Sequence, residues 1–573
     1  MLKIAEGANF MTVNVNNRAC KIRRRTFAYV FLTIGVLALL KPLLAHPAGV
    51  LSASRPDAPL CVFILEQVFQ NIVHGRDWYY TQTFFPFNQA IALSSNLFLY
   101  QVIYTPLRLL GFNPQISFNM LYGFAFLLLG IMVFEWAYRQ LHHMVPATCV
   151  ALLSILLCVP VYYIMAHFQL LSAYYYLLLL MICDDYALHP KGRHILAGLV
   201  VVLLMFACEP NVAVTGVFIT LIYVLIRSRT FLTATVNIRW SRRKFFAVGL
   251  GSIVVITALA WIAMPYLHAV KIMGNRPLQE AAVYSSWVGS ILSPPGNSVF
   301  LKPDTLPWGR HEALHLSGFL YLGLGLAGCI YAGQQREKRL IPLFILLGIV
   351  YCASFGPVFI HGFPTNPFYL IPYTIMPGFA ANRTPGRLVM CVLPLMSLFA
   401  VYFVFALGAR VFNGLWRKVV PVGLVALMML EGMPWLPVVA YNYEAATAHY
   451  TELNKVTQEG DSIIRLPYEP WPSSPSGITE EMLGILRTHC RTVNGYSSFD
   501  PPLRSKYQNC NIWNQLCTET AAPLACAQLA SDRIAWIVID KQNTSAAERE
   551  AILRCRSPRQ ITSETAHFLL IRP

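Results

Sequence analysis

At 573 residues the chain is long enough for three or four soluble domains, but 56% of its residues are hydrophobic and only 12% are charged. These proportions, with a mean hydropathy of +0.51, exclude an ordinary soluble globular protein. The net charge of +17 comes from short basic clusters between apolar runs, which is typical of cytoplasmic loops and argues against a nucleic-acid partner. The composition therefore predicts an α-helical polytopic membrane protein.

The membrane part is predicted to cover residues 27–439, after a basic cytoplasmic N-terminus at 1–26. Its apolar runs, most of them long enough to cross a hydrocarbon core, predict about eleven transmembrane helices. The predicted spans are 27–45, 117–138, 147–165, 170–183, 194–208, 211–227, 244–266, 316–333, 340–355, 388–408 and 419–439. An odd number of spans places the C-terminus outside the cytoplasm and the strong basic clusters inside, as the positive-inside rule requires.

The segment 93–110 is apolar but contains Ser, Asn, Gln, Pro and Arg residues. Counting it as a span would place the basic clusters outside. We therefore predict a re-entrant or interfacial helix within a long first external loop, 46–116. Two further external loops are predicted at 267–315 and 356–387.

The last predicted external segment, 440–573, is polar and has no predicted span. Three short β-rich runs, "SIIRLPY", "RIAWIVID" and "HFLLIRP", alternate there with helix-like stretches and predict a small α/β domain. In an oxidising compartment its five cysteines would allow up to two disulfides. These are Cys490, Cys510, Cys517, Cys526 and Cys555.

Charged residues at the membrane edge are candidates for function. Asp57, in "RPDAPL", has the pattern of a helix N-cap followed by proline in the first turn, which does not exclude a chemical role. Arg383 and Arg387 lie four residues apart on the predicted external side, against the usual bias for basic residues. They either anchor a helix end among headgroups or bind an anion.

Several stretches, in this order and topology, resemble the GT-C superfamily of membrane glycosyltransferases, and more closely a bacterial GT-C-like group that includes YfhO-like proteins. They are "RPDAPLCVFILEQVFQNIVHG", "FFPFNQAIALSSNLF", "AHFQLLSAYYYL", "NRPLQEAAVYSSWVGSILSP", "PGFAANRTPGR" and "VNGYSSFDPP". One departure is that Ser95 and Asn96 stand where many such proteins would have an acidic residue or histidine.

The resemblance implies transfer of a sugar from a polyprenyl-phosphate carrier to an envelope glycan, lipid or protein on the outer side of a bacterial inner membrane, with the tail in the periplasm or outside the cell. Asp57 would be the general base, and seven further residues would contact the sugar or the lipid phosphate. These are Arg55, His167, Glu209, Glu280, Tyr284, Arg383 and Arg387. No cofactor is identified, and a divalent metal stays open because the sequence does not require one.

Three alternatives remain. A transporter or flippase for a lipid-linked glycan would also need many spans and external arginines. The "HEALH" motif, His311, Glu312 and His315, has the spacing of a zinc metalloprotease site, but it adjoins a predicted span and lacks the third histidine of a metzincin. A chain that has lost catalysis would only bind a glycan through its tail.

Overall fold

A computed structural model describes residues 18–52, 57–236, 238, 241–301, 313–467, 475–518, 520–554 and 562–573. The helices up to residue 431 are α1 Arg18–Leu39, α2 Lys41–Ala45, α3 Asp57–Val73, α4 Gln101–Leu109, α5 Pro114–Leu141, α6 Met144–Leu156, α7 Cys158–Ala166, α8 Tyr176–Leu188, α9 Gly192–Phe206, α10 Pro210–Ile226, α11 Ser228–Val236, α12 Arg242–Met273, α13 Leu278–Val283, α14 Phe319–Gln334, α15 Ile341–Ser354, α16 Pro367–Ile375, α17 Val389–Val411 and α18 Trp416–Glu431. The tail adds α19 Tyr443–Thr447, α20 Pro475–Ile485, α21 Pro502–Asn509, α22 Ile512–Leu516, α23 Ala522–Ser531 and α24 Ala546–Arg554.

Strands and 3₁₀ helices are short. The strands are β1 Val50–Ser52, β2 Phe359–Ile360, β3 Phe363–Pro364, β4 Val438–Ala440, β5 Ser462–Leu466, β6 Arg491–Thr492, β7 Trp536–Asp540, β8 Thr562–Glu564 and β9 Phe568–Ile571. The 3₁₀ helices are Ala90–Leu93, Phe98–Tyr100, Phe168–Tyr174, Val288–Leu292, Phe379–Ala381, Pro385–Leu388 and Ala448–Lys455.

Each predicted span overlaps a helix, but the helices differ in length, and the last span, 419–439, extends past the end of α18 at Glu431 into β4. Within the described ranges, four helical segments are long and apolar enough to cross a membrane: Pro114–Leu141, Phe168–Leu188, Arg242–Met273 and Pro385–Val411. The bent pairs α6–α7 and α10–α11 raise the number to six if each pair is one span. Four further apolar helices have 10 to 17 residues. The structure thus supports a polytopic membrane protein, and the count of eleven stays a prediction.

Helix α17 lies at the centre of the helical bundle, and the apolar window that qualifies it as a span is 83% buried. Helix α14 packs closely against it because Gly328 has no side chain. A Cβ at Gly328 would lie 2.1 Å from the carbonyl oxygen of Phe399 in α17. Small residues permit this close approach of two membrane helices. Helix α12 is the opposite case, since only 6% of its apolar window is buried, as expected for a helix that faces lipid.

The segment 93–110 is not a full span. It folds into the 3₁₀ helix Phe98–Tyr100 and the nine-residue helix α4, which is far shorter than the roughly 20 residues that cross a bilayer. Two of its side-chain amides bond to the protein backbone: Gln101 donates to the carbonyl of Leu65 over 2.8 Å, and Asn96 donates to the carbonyl of Phe206 over 3.0 Å. Its interfacial position stays a prediction.

The predicted inner loops meet at one end of the bundle. Arg227 and Tyr223 both bond the carboxylate of Asp184, the tyrosine over 2.7 Å. Arg139 bonds both carboxylate oxygens of Asp185 at 2.9 Å. This acidic pair therefore holds helix ends together through arginines. The predicted outer loops meet at the opposite end.

The tail carries a mixed sheet with strand order β6-β5-β7-β9-β8, in which β5 runs parallel to β6 and β7, and β9 runs antiparallel to β7 and β8. Strands β5, β7 and β9 coincide with the three predicted β-rich runs. All residues of these three strands are buried, which explains their nearly continuous apolar sequences. The thiols of Cys490 and Cys510 are free, and Cys555 lies outside the described residues.

The tail is joined to the first external loop by backbone and amide hydrogen bonds. The side-chain amide of Gln82 donates to three tail carbonyls, those of Ile485, Thr488 and Cys490, over 2.9 to 3.2 Å. Backbone bonds from Thr492 to Gln82 and from Phe85 to Thr492 extend this pairing at 2.7 and 2.9 Å. Helix α20 packs on α3, and both contribute to one apolar core. The tail is therefore in direct contact with the helix that begins at Asp57.

Candidate functional site

Asp57 is the first residue of α3, within one residue of the predicted cap position. A carboxylate in the first turn is stabilised by the helix dipole. Its side chain is 19% exposed. One carboxylate oxygen accepts a hydrogen bond from the Tyr496 hydroxyl at 3.3 Å, and the other lies 3.7 Å from Nδ1 of His167. The carboxylate is thus held from two sides.

His167 follows α7 at a turn between two membrane segments and is 16% exposed. Arg387 donates from Nη2 to Nε2 of His167 over 2.6 Å. Because Nε2 accepts this bond, the ring proton of a neutral His167 lies on Nδ1, the nitrogen that faces Asp57. Arg387, His167 and Asp57 are therefore linked in this order into one polar chain that joins three segments.

Arg383 belongs to a neighbouring group of charges. Glu280 accepts two hydrogen bonds from Arg276, at 2.9 and 3.2 Å, and lies 3.9 Å from Arg383. The guanidinium of Arg383 also lies 5.2 Å from the ring centre of Tyr284. Two guanidinium groups share one carboxylate here, so the group keeps a net positive charge.

Arg383 and Arg387 do not lie on one regular helix face. The helix begins with the 3₁₀ turn Pro385–Leu388, so Arg383 precedes it and Arg387 lies within it. Both nevertheless lie close to Tyr496. Burial and the Asp57 carboxylate raise the pKa of Tyr496, and the charges of Arg383 and Arg387 oppose that rise.

Glu209 is buried at the N-terminus of α10, where it accepts hydrogen bonds from the backbone and side-chain amides of Asn211 at 3.3 and 3.0 Å. It therefore caps this helix. Burial raises the pKa of Glu209, and the nearby Ser95 hydroxyl and Arg387 charge oppose that rise. Glu209 thus brings a carboxylate next to Ser95, the position at which the sequence lacks an expected acidic residue.

Three predicted site residues, Arg55, His311 and Glu312, lie outside the described residues. His315 is described, and it lies in a non-helical segment before α14, where its ring contacts the Ser286 hydroxyl at 3.2 Å. In the part of the chain that the structure describes, no group of three or more His, Cys, Asp or Glu side chains is arranged to hold a metal.

Two residues of the site were missed from the sequence. Tyr496 follows Asn494 and Gly495, a pattern typical of a tight turn that packs the tail, whereas its hydroxyl reaches Asp57. For Arg276, the sequence offers the spacing of four from Glu280, which is typical of a helical ion pair. Both residues also lie in stretches that carry the family resemblance, "VNGYSSFDPP" and "NRPLQE".

The site is built where all the predicted external segments meet. Asp57 comes from the first loop, Glu280 from the second, Arg387 from the third, and Tyr496 from the tail, with His167 from a short turn. The prediction placed these segments on one side of the membrane, and their convergence is consistent with it.

Solved structures provide the comparison. Arabinofuranosyltransferase AftD from mycobacteria matches 95% of this chain with a TM-score of 0.53 at 12% identity, and a variant of AftD matches 96% with a TM-score of 0.50 at 11% identity. This chain spans only 37% and 41% of those two chains.

The oligosaccharyltransferase of Archaeoglobus fulgidus aligns with 90% of this chain and 69% of its own, with a TM-score of 0.49 at 12% identity. No family model and no curated protein sequence matches this chain. The AftD likeness covers almost the whole chain and shows that the chain shares the fold of the matched part of that arabinofuranosyltransferase, as the GT-C resemblance implies; the number of spans stays a prediction.

Proposed function

We propose that this protein is a membrane glycosyltransferase that moves a sugar from a polyprenyl-phosphate carrier to an acceptor on the outer side of a bacterial inner membrane. The acceptor is an envelope glycan, lipid or protein. The GT-C fold supports a transferase, and the arrangement of charges around Asp57 supports this donor class.

In this reaction the Asp57 carboxylate takes the proton of an acceptor hydroxyl. The freed oxygen attacks the anomeric carbon of the donor sugar, and the bond from that carbon to the phosphate oxygen breaks. The lipid phosphate leaves with the electron pair. His167 and Tyr496 hold the carboxylate in place, which fixes the direction of attack.

The leaving phosphate requires positive charge. Arg387 is connected to the base through His167, and Arg383 lies with Arg276 in the group that has one net positive charge. Guanidinium groups suit this role because they bind phosphate oxygens with planar pairs of N–H donors. Tyr284 and Glu280 then orient Arg383.

One observation carries the proposal: Asp57, His167 and Arg387 come from separate segments and form a single polar chain. A general base and a phosphate-binding cation next to each other match the two groups that react: the acceptor hydroxyl, which loses a proton, and the lipid phosphate, which leaves. Binding of a lipid-linked glycan by a flippase accounts for the cation alone, whereas sugar transfer accounts for both the cation and the base.

The test compares envelope glycans of cells that carry the wild-type protein, Asp57→Asn or Asp77→Asn. Asp77 is an exposed carboxylate of the same first loop, bonded to Gln89 over 2.8 Å, and it serves as the matched control. We expect loss of the glycan product in Asp57→Asn and wild-type levels in Asp77→Asn, at equal protein levels. Normal glycosylation in Asp57→Asn would overturn the assignment of the base.

A further inference from the structure

Four consecutive tail residues, Tyr496 to Phe499, lie across the site and are named the tail strap here. Tyr496 donates its hydroxyl to Asp57 over 3.3 Å, and Ser497 donates its hydroxyl to the carbonyl of Leu93 in the first loop over 2.9 Å. Ser498 accepts a bond from Arg276 through its carbonyl, and the guanidinium of Arg276 lies 3.8 Å from the ring centre of Phe499. The strap therefore touches both the base and the cationic group.

The strap is held firmly at its start. The backbone amide of Tyr496 donates to the sulfur of Met482 in α20 over 3.1 Å. Gly495 packs against the ring of Phe84, where an added Cβ would lie only 2.6 to 2.8 Å from the ring carbons. These contacts fix the backbone from which the Tyr496 side chain reaches Asp57.

The Tyr496 hydroxyl is a hydrogen-bond donor at neutral pH. Burial and the neighbouring Asp57 carboxylate raise the pKa of its phenol, so that the hydroxyl keeps its proton at neutral pH. An ionised carboxylate accepts about four hydrogen bonds, two on each oxygen. The bond from Tyr496 thus fixes one direction of the carboxylate.

We propose that Tyr496 is a positioning residue for Asp57 and that the tail strap makes the tail an integral part of the transfer site. This inference rests on the proposed function, in which Asp57 is the base. It assigns to the tail a direct part in the reaction, beyond the binding of a glycan.

The test uses the full-length protein at limiting expression, so that the amount of envelope glycan product reports the rate of transfer. Tyr496→Phe keeps the ring and removes only the donor. Replacement of Tyr496 by p-aminophenylalanine restores a donor at the same place. Tyr507→Phe is the matched control, because Tyr507 is another buried tail tyrosine that donates to an aspartate, Asp532, over 2.6 Å.

We expect about tenfold less product from Tyr496→Phe, recovery to within about twofold with p-aminophenylalanine, and little change in Tyr507→Phe. Recovery by a donor is the readout that a purely structural role of the ring would not produce. Wild-type product from Tyr496→Phe, or equal loss with p-aminophenylalanine, overturns the inference. If Asp57→Asn abolishes product while Tyr496→Phe does not, only the positioning role fails. If Asp57→Asn has no effect, both proposals fail.

Discussion

Replacement of Arg387 by lysine separates the positive charge of the guanidinium from its hydrogen bond to His167. The guanidinium donates to Nε2 of His167 over 2.6 Å, and it offers five N–H donors in a planar fork. Lysine keeps the positive charge but presents one nitrogen instead of a fork. An ammonium has to serve both the His167 ring and a phosphate from a single nitrogen, without the fixed planar fork by which arginine can face both. We expect Arg387→Lys to lose most of the activity although the charge is kept.

The magnitude follows from the bond that is lost. A hydrogen bond with a charged partner contributes roughly 1.5 to 3 kcal/mol. Because about 1.4 kcal/mol corresponds to a tenfold change in rate, the loss is about 10- to 150-fold. Arg383→Lys is the matched control. Arg383 lies 3.9 Å from Glu280, too far for a hydrogen bond, so Arg383→Lys breaks no protein hydrogen bond to that residue, and we expect a smaller loss than in Arg387→Lys.

The assay is the rate of sugar transfer to the endogenous acceptor in isolated membranes, measured with labelled precursor and normalised to protein level. Arg387→Gln, which removes the charge, completes the series and is expected to be the least active. Wild-type activity in Arg387→Lys together with loss in Arg387→Gln would refute the reasoning, because charge alone would then be sufficient and the bond to His167 would have no catalytic role.

Three further predictions concern the tail and its orientation. Arg465→Ala removes the buried partner of Asp540 and should lower the stability of the tail by roughly 3 to 5 kcal/mol, seen as a lower melting temperature. Burial alone would raise the pKa of Asp540, but the charge of Arg465 outweighs it and lowers that pKa. The wild-type tail should therefore lose stability as the pH falls through the folded-state pKa of Asp540. The same fall in pH should cost Arg465→Ala less stability. Gly495→Ala places a methyl group against the ring of Phe84 at 2.6 to 2.8 Å and should cost about 1 to 3 kcal/mol, measured as faster proteolysis of the tail; an unchanged rate would show that the ring moves freely. A reporter fused after Pro573 should be active only outside the cytoplasm, and an inside signal would contradict the proposed orientation.

Local patterns predicted much of the architecture. Apolar runs located helices, because a membrane segment must satisfy its backbone hydrogen bonds internally. The start of α3 at Asp57 followed from Asp and Pro in the first turn. Arg383 and Arg387 stood out because they contradict the usual charge bias. These signals require only neighbouring residues. The structure places Asp57, Arg383 and Arg387 in or beside the site.

The site itself depends on contacts that no local pattern contains. Tyr496 and Asp57 are 439 residues apart, and His167 and Arg387 are 220 apart. From one sequence, Tyr496 in "NGYSS" has the features of a turn residue. The partner of Glu280 was missed for another reason: Arg276 precedes it by four residues, but nothing in the sequence shows that this pair faces Arg383.

The bonds from Gln82 to the tail have a consequence for biosynthesis. The side-chain amide of Gln82 can form these bonds only after the chain has been extended by another 403 to 408 residues. At about 5 to 20 residues per second, the ribosome makes that stretch in roughly 20 to 80 s, and in the proposed orientation the tail then has to cross the membrane. In that orientation the first loop is outside during this interval without its partner, and Asp57 lacks the hydroxyl of Tyr496. The order of synthesis therefore delays the completed site until the last predicted external segment has been translocated, so a partly inserted chain lacks the arrangement proposed for sugar transfer.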